Sequence, residues 1–311
     1  MRQTGGSGWR RGRFLASLAV LVACLMAFHS AVPNVGRLGS LLETFLPWLG
    51  LTIPVLLGLA LVRRSAIALL AVLLPALVWL GIFGGMLLPR HDAAHDLTAV
   101  QHNVSDENPD PAGTARALMA ERPDLIALQE LISPALETYA ATLAPSYPHH
   151  AVHGTVGLWS AYPLTDVRVV DIKPGGLDAE WTRGLRATVH TPAGDVAVYV
   201  AHLPSVRLGP RGFDTRWRDE SAALLGAAIA AERLPKVILL GDLNSTVDDR
   251  GLAPITSQLS WATSGFAFSW PAAMPLARID QIMARNAIVT RVWSLPATGS
   301  DHLPIAARIK L

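Results

Sequence analysis

Residues 237–244 read Val-Ile-Leu-Leu-Gly-Asp-Leu-Asn. The brief apolar run predicts a strand over Val237–Leu243, and its end carries two groups, Asp242 and Asn244, that an apolar core does not accept unpaired. A charge in such a place is paired, hydrogen-bonded or metal-bound, or it costs several kcal/mol.

Outward from this strand the same pattern recurs. Gln101-His102-Asn103 lies in the predicted strand Leu97–Val104, Gln129-Glu130 closes the run LIALQE, and His202 ends VAVYVAH. Asp280 sits inside ARIDQIM, and Ser300-Asp301-His302 precedes the predicted last strand, Ile305–Ile309. Taken singly, Asp242 reads equally well as a turn residue, Asp280 as an edge charge and Asp301-His302 as a cap. Taken together, they put the carboxylates of Glu130, Asp242, Asp280 and Asp301 and the amides of Asn103 and Asn244 at strand ends, where open sheets gather functional groups. Hard oxygen donors of this kind suit Mg²⁺ or Mn²⁺, not the sulfur-rich sites of structural zinc. His202 and His302 add donors for an anionic oxygen.

Further strands are predicted at Leu125–Leu131, Val167–Ile172 and Ile279–Ala284, and a hairpin at Leu185–Val189 and Val196–His202 across a Pro-Ala-Gly-Asp turn. Helices are predicted over Pro111–Glu121 and Arg218–Glu232. Alternating strands and helices over 97–311 predict one α/β domain.

Residues 1–90 are of another kind. The whole chain is 51% hydrophobic and 16% charged, against roughly 25% charged in ordinary soluble domains. The first ninety residues hold eight Arg and one Glu, whereas the remaining 221 hold 18 basic and 23 acidic side chains. Three uncharged apolar stretches, Phe14–Val32, Phe45–Val62 and Ser65–Pro89, approach or exceed the roughly 20 residues that cross a bilayer as a helix. They predict a membrane domain of three transmembrane helices (1–90), a polar linker (91–96) and a catalytic α/β domain (97–311). A cleaved signal peptide is the alternative for the first stretch, but its apolar run exceeds the roughly 7–15 residues of such signals. Arg2, Arg10, Arg11 and Arg13 precede the first span, and Arg63 and Arg64 separate the second and third. The positive-inside bias then puts the N-terminus in the cytoplasm and everything after Arg90 outside a bacterial cell membrane. The lone Cys24 excludes a disulfide scaffold, and the hydrophobicity excludes a disordered chain.

The ordered series Asn103-Val104, Leu128-Gln129-Glu130, Ala201-His202-Leu203, Gly241-Asp242-Leu243-Asn244, Arg278-Ile279-Asp280 and Ser300-Asp301-His302-Leu303-Pro304 resembles the endonuclease/exonuclease/phosphatase superfamily. Three N-terminal spans fused to such a domain resemble the VanJ-like membrane proteins of actinobacteria, associated with glycopeptide resistance. The superfamily resemblance implies a DNase I-like, four-layered α/β sandwich with its site at one end of two packed sheets. It also implies that Glu130 is the principal metal ligand, that Asn103 neighbours metal and phosphate, and that Asp301 supports the metal shell. Asp242 then orients or deprotonates the attacking water, and Asn244 hydrogen-bonds the phosphoryl group. His302, fixed by Asp280, contacts the phosphate or stabilises its charge, and His202 stands as a second phosphate-contacting histidine.

One departure stands out. Members of this superfamily often carry an Arg where this chain has Ala161, after Ser160. Arg183 or Arg186 in the WTRGLR stretch could replace it, or could solvate a strand edge. Arg207, Arg211, Arg216 and Arg218 cluster after His202 and read either as a diphosphate clamp or as a solvated loop. His149, His150 and His153 read as strand and loop residues, and His91 and His95 as linker residues. Trp48 and Trp79 read as lipid-interface or packing residues. The expected function is a Mg²⁺-dependent phosphoesterase or pyrophosphatase anchored in the bilayer and acting outside the cytoplasm on a lipid-linked phosphate such as undecaprenyl pyrophosphate. An extracellular nuclease competes with this, although a net charge of −5 after Arg90 gives no general attraction for nucleic acid. A retired, non-catalytic binding domain is the third reading, and the intact acidic set argues against it.

Overall fold

The computed structural model describes residues 12–88, 94–178, 180–209 and 212–311. Arg2, Arg10, Arg11, Arg90, Arg211 and His91, and the first part of the expected linker, lie outside the described residues.

Four α-helices come first: α1 (Arg13–Ala27), α2 (Leu38–Thr44), α3 (Thr52–Val62) and α4 (Ala66–Leu87). The chain then runs β1 (Leu97–Asn103), α5 (Pro111–Met119), β2 (Leu125–Gln129), α6 (Ala135–Leu143), β3 (His149–His153), β4 (Val156–Ser160), β5 (Leu164–Val169), β6 (Gly184–Thr191) and β7 (Gly194–His202). It continues through the small pair β8 (Arg207–Gly209) and β9 (Gly212–Asp214), α7 (Arg216–Ala230), β10 (Val237–Asp242), α8 (Ala253–Thr256), β11 (Ser260–Trp261), β12 (Asp280–Arg285), β13 (Ile288–Ser294) and β14 (Ile305–Lys310).

Two six-stranded mixed sheets result, in the orders β13-β14-β1-β2-β4-β3 and β11-β12-β10-β7-β6-β5. Strand alternation explains their packing. In β10, Ile238 and Leu240 join the core between the sheets, while Val237 and Leu239 join the core under α7 and α8. In β1, Leu97 and Ala99 face the inter-sheet core and Val100 faces α5 and α6. Helices outside both sheets make the four layers expected. Asp110 caps α5 by accepting the Gly113 N–H at 2.8 Å, and Arg122 adopts a left-handed backbone (φ 50°) just after the helix. The predicted strand Val167–Ile172 is displaced: pairing with β6 spans Leu164–Val169, and Val170 and Ile172 leave the sheet to pack beneath α7.

The N-terminal stretches differ from three straight helices. α1 has 15 residues and stops at Ala27, before a 3₁₀ turn. The second stretch is broken, because Leu46–Leu51, with Pro47 in its first turn, forms a 3₁₀ segment. Val35–Thr44 and Leu46–Val62 meet at a 73° bend. α4, with 22 residues, is the one described helix long and apolar enough by itself to cross a membrane.

The first part of this region lies on the α/β domain. Glu43, fully buried, accepts from Arg250 Nε (2.9 Å), Arg250 Nη2 (2.8 Å) and the Arg250 backbone N–H (3.0 Å). The same guanidinium donates to the carbonyls of Val32 (2.8 Å) and His29 (2.9 Å). Arg37 Nη1 bonds Thr215 Oγ1 (2.8 Å) and Asp219 Oδ2 (2.7 Å). Trp48 donates to the Leu276 carbonyl (2.7 Å) and stacks on Phe268, while Trp79 donates to the Pro47 carbonyl (2.8 Å). Both tryptophans are thus packing residues.

Candidate active site

Period-two alternation, carried to the strand ends, assembles the site. Counting inward-facing positions, β1 continues from Leu97 and Ala99 to Gln101 and Asn103, and β2 from Leu125 and Ala127 to Gln129. β7 continues from Val198 and Val200 to His202, and β10 from Ile238 and Leu240 to Asp242. In the antiparallel β12, Asp280 precedes Ile282 and Ala284 on the same face, and Asp242 pairs with both Asp280 and His202. The inward face therefore changes from aliphatic to polar at one end of the sandwich on five strands at once.

Glu130 and Asn244 follow β2 and β10 in left-handed backbone (φ 61° and 49°), a conformation that non-glycine residues keep only where their surroundings hold it. Asp242 Oδ1 accepts the Asn244 N–H at 2.8 Å. Its Oδ2 accepts from Asn103 Nδ2 (3.1 Å) and Asn244 Nδ2 (3.3 Å). Asn103 Nδ2 also donates to Glu130 Oε1 at 2.9 Å. Burial pushes the Asp242 carboxyl well above the ordinary carboxylate range, with the charge of His302 opposing it.

His302 Nδ1 bonds Asp280 Oδ2 at 2.8 Å, and its Nε2 lies 3.8 Å from Asp242 Oδ2. Burial disfavours the imidazolium, but Asp280 and Asp242 outweigh it and raise the His302 pKa well above an ordinary histidine. The second oxygen of Asp280 accepts from Gln101 Nε2 at 3.0 Å. The Ser300 hydroxyl fixes the turn, donating to the Asn103 carbonyl (2.7 Å) and accepting the His302 N–H (3.0 Å).

His202 is 1% exposed and lies 3.6 Å from Asp242 and 3.8 Å from Glu130, behind the carboxylates. It does not line the cavity, which corrects its expected place as a phosphate contact. It receives Arg183 Nη1 at 3.2 Å, and burial together with that cation holds the ring neutral. Arg183 therefore stands at the site, whereas Arg186 does not. The Arg186 guanidinium, 2% exposed, bonds the buried Glu232 side chain just after α7 (2.9 and 3.1 Å) and exposed Asp166 (2.6 Å). Arg218 is likewise buried, against Asp249 (2.9 Å), while Arg207 and Arg216 are exposed.

The cavity measures about 380 Å³. It is lined by the polar groups of Asn103, Glu130, Asp242, Asn244, Asp301 and His302 together with the apolar side chains of Leu41, Phe45, Val206, Phe213 and Trp270. Asp301 is exposed, at some remove from the buried group in which Asp242, Asp280 and His302 offer donor atoms within 4.8 Å of one another. Asp280 does not line the cavity and gives its oxygens to His302 and Gln101, so the oxygen donors that line the cavity include those of Asp242, Glu130, Asn103 and Asp301. Two carboxylates bridged by the neutral Asn103 amide fit a divalent cation. Gln101 and Gln129, joined at 2.5 Å, are the buried polar pair beneath the site that carried no expected role; their signal was the period-two position. Leu41 and Phe45 had none, since both belong to the predicted membrane segment or its approach.

The sequence profile of the endonuclease/exonuclease/phosphatase family matches residues 100–302. Among curated proteins no significant sequence match was found. Similar solved structures include a beta toxin variant from Staphylococcus aureus with bound magnesium ions, 17% identical, covering 68% of this chain and 99% of that one at a TM-score of 0.55. Sphingomyelinase C from Streptomyces griseocarneus is 18% identical and covers 68% and 98% at 0.51. An endonuclease/exonuclease/phosphatase from Bacteroides vulgatus is 18% identical and covers 70% and 100% at 0.56. These likenesses cover 68–70% of the chain, and the profile match covers every site residue from Asn103 to His302. On the strength of that match and of the site it encloses, the chain belongs to the endonuclease/exonuclease/phosphatase family.

Proposed function

We propose that this chain is a membrane-anchored, divalent-cation-dependent phosphohydrolase of a lipid-linked phosphate. The observation that carries the reading is the mixed lining of the cavity: acidic and amide groups from the sandwich share it with apolar side chains that include Leu41 and Phe45 of the N-terminal helical region. A phosphate attached to an apolar tail matches both kinds of lining, whereas a nucleic-acid backbone matches only the polar one. Exposed leucines along α3 and α4 (Leu57, Leu59, Leu61, Leu70, Leu73, Leu77) supply the surface that a bilayer would cover. The arginine distribution favours a cytoplasmic N-terminus and a domain outside, and undecaprenyl pyrophosphate is the first candidate substrate, in keeping with a VanJ-like role in the cell envelope.

Glu130, Asp242 and Asn103 would hold Mg²⁺ or Mn²⁺, with Asp301 at the rim, and such a cation would neutralise phosphoryl charge. Asp242 takes a proton from water as the water oxygen bonds to phosphorus. The bond from phosphorus to the leaving oxygen breaks, and from a pyrophosphate the leaving group departs as a lipid phosphate without needing a proton. His302, held cationic by Asp280, stabilises charge on the phosphoryl oxygens, and Asn244 donates to them.

The test is orthophosphate release from undecaprenyl pyrophosphate by the full-length protein in detergent, with Mg²⁺ or chelator, beside Asp242→Ala. Cation-dependent release that falls at least a hundredfold in the variant is expected. No release from folded protein, with nicking of plasmid DNA instead, would overturn the lipid reading.

A further inference from the structure

We propose that a basic chamber beside the catalytic cavity binds a second phosphoryl group, so that the substrate carries an anion next to the phosphate that is cleaved. The chamber has a volume of about 400 Å³ and shares Ser205 with the catalytic cavity. Its wall carries three guanidinium groups, from Arg183, Arg207 and Arg216, and one carboxylate, Asp214. The Asp214 carboxylate already accepts the Arg216 backbone N–H at 3.3 Å, and the positive charges outnumber it.

Arg183 forms the boundary. Its Nη1 lies 3.2 Å from His202 Nδ1, and that imidazole lies 3.6 Å from Asp242 and 3.8 Å from Glu130. The Arg183 guanidinium lies 5.2 Å from the centre of the Trp181 ring, and that of Arg216 lies 5.7 Å from the Trp217 ring. Stacking on an indole engages the guanidinium plane and leaves its N–H edges for a bidentate anion. A substrate bridging the two cavities sets its cleaved phosphate against the acidic, cation-holding groups and its second anion against the arginines. A cationic headgroup in the same place would be repelled by all three.

This inference rests on the reading of the site as a lipid-phosphate hydrolase, and it selects a pyrophosphate linkage over a monophosphate or a choline-type diester. It is tested with full-length protein in detergent and Mg²⁺, using farnesyl pyrophosphate and farnesyl monophosphate as probes. In Arg207→Gln/Arg216→Gln, and separately in Arg183→Gln, the ratio of kcat/KM for the pyrophosphate to that for the monophosphate falls at least tenfold. An unchanged ratio in the double variant overturns the subsite and leaves the hydrolase reading standing. Calorimetric binding of methylenediphosphonate separates the two readings. If wild-type protein hydrolyses neither lipid, the functional reading fails, and a tenfold weaker diphosphonate affinity in the double variant still sustains the subsite. Equal affinity, or no binding by wild type, removes it.

Discussion

Asp280 contacts no cavity surface, yet it decides the charge of His302, whose Nδ1 it holds at 2.8 Å. In Asp280→Asn the imidazole keeps its burial and loses its nearest counter-charge, so its pKa falls, as an NMR histidine titration would show. Phosphate release falls with it by about a hundredfold or more, the usual weight of a positioned acid–base group. Elsewhere, the Glu232 carboxyl would be raised by burial, but Arg186, the Leu234 N–H and the Tyr199 hydroxyl pull it down to about 2. A folded pKa below the unfolded one means stabilisation that is complete above the ordinary carboxylate range and is lost as pH falls from about 4.5 to about 2. Glu232→Gln should cost about 3 kcal/mol at neutral pH in denaturant unfolding and flatten that acid limb. Residue identities were legible where a polar group interrupts an apolar run, as at Asp242, Asn244, Asp280 and His302. Arg186 was not, because its partners Glu232 and Asp166 lie just after α7 and near the start of β5, at separations that leave no local trace.

At the scale of elements, the strands that build the site were legible because their apolar runs are buried on both faces, as in β2, β7 and β10. β3 was hidden because it is an edge strand carrying three histidines with no fully buried residue. The place of Leu41 and Phe45 was hidden for another reason: they flank the start of the stretch Phe45–Val62, and an apolar side chain that covers a cavity looks in sequence like one that enters a bilayer. Leu41 and Phe45 have a measurable consequence. In Leu41→Asp or Phe45→Ala, kcat/KM for a long-chain prenyl substrate should fall about tenfold relative to a short-chain one, since each loses roughly 1.5–3 kcal/mol of apolar contact at most. Equal losses on both chain lengths would deny these side chains a part in tail recognition.

Across the whole molecule, the helical region and the sandwich are joined by ionic and aromatic contacts between distant parts of the chain. Glu43 and Arg250 are the most buried of these, and removing one partner leaves the other charge without compensation. Glu43→Gln should lower unfolding stability by about 3 kcal/mol and raise hydrogen exchange in α2. An unchanged exchange rate would show that Trp48 and Arg37 hold the region alone. The polar ends of β1, β2, β7, β10 and β12 face one another only because each is an even number of residues from its aliphatic neighbours. Substituting a valine upstream trims a contact, but deleting one residue turns every later side chain of that strand to the opposite face. The molecule should therefore be far less tolerant of single-codon deletions in these strands than of substitutions. A deletion scan would show this as five narrow intolerant windows, four that end at the polar residues of β1, β2, β7 and β10 and one that begins at Asp280 in β12, with permissive loops between them.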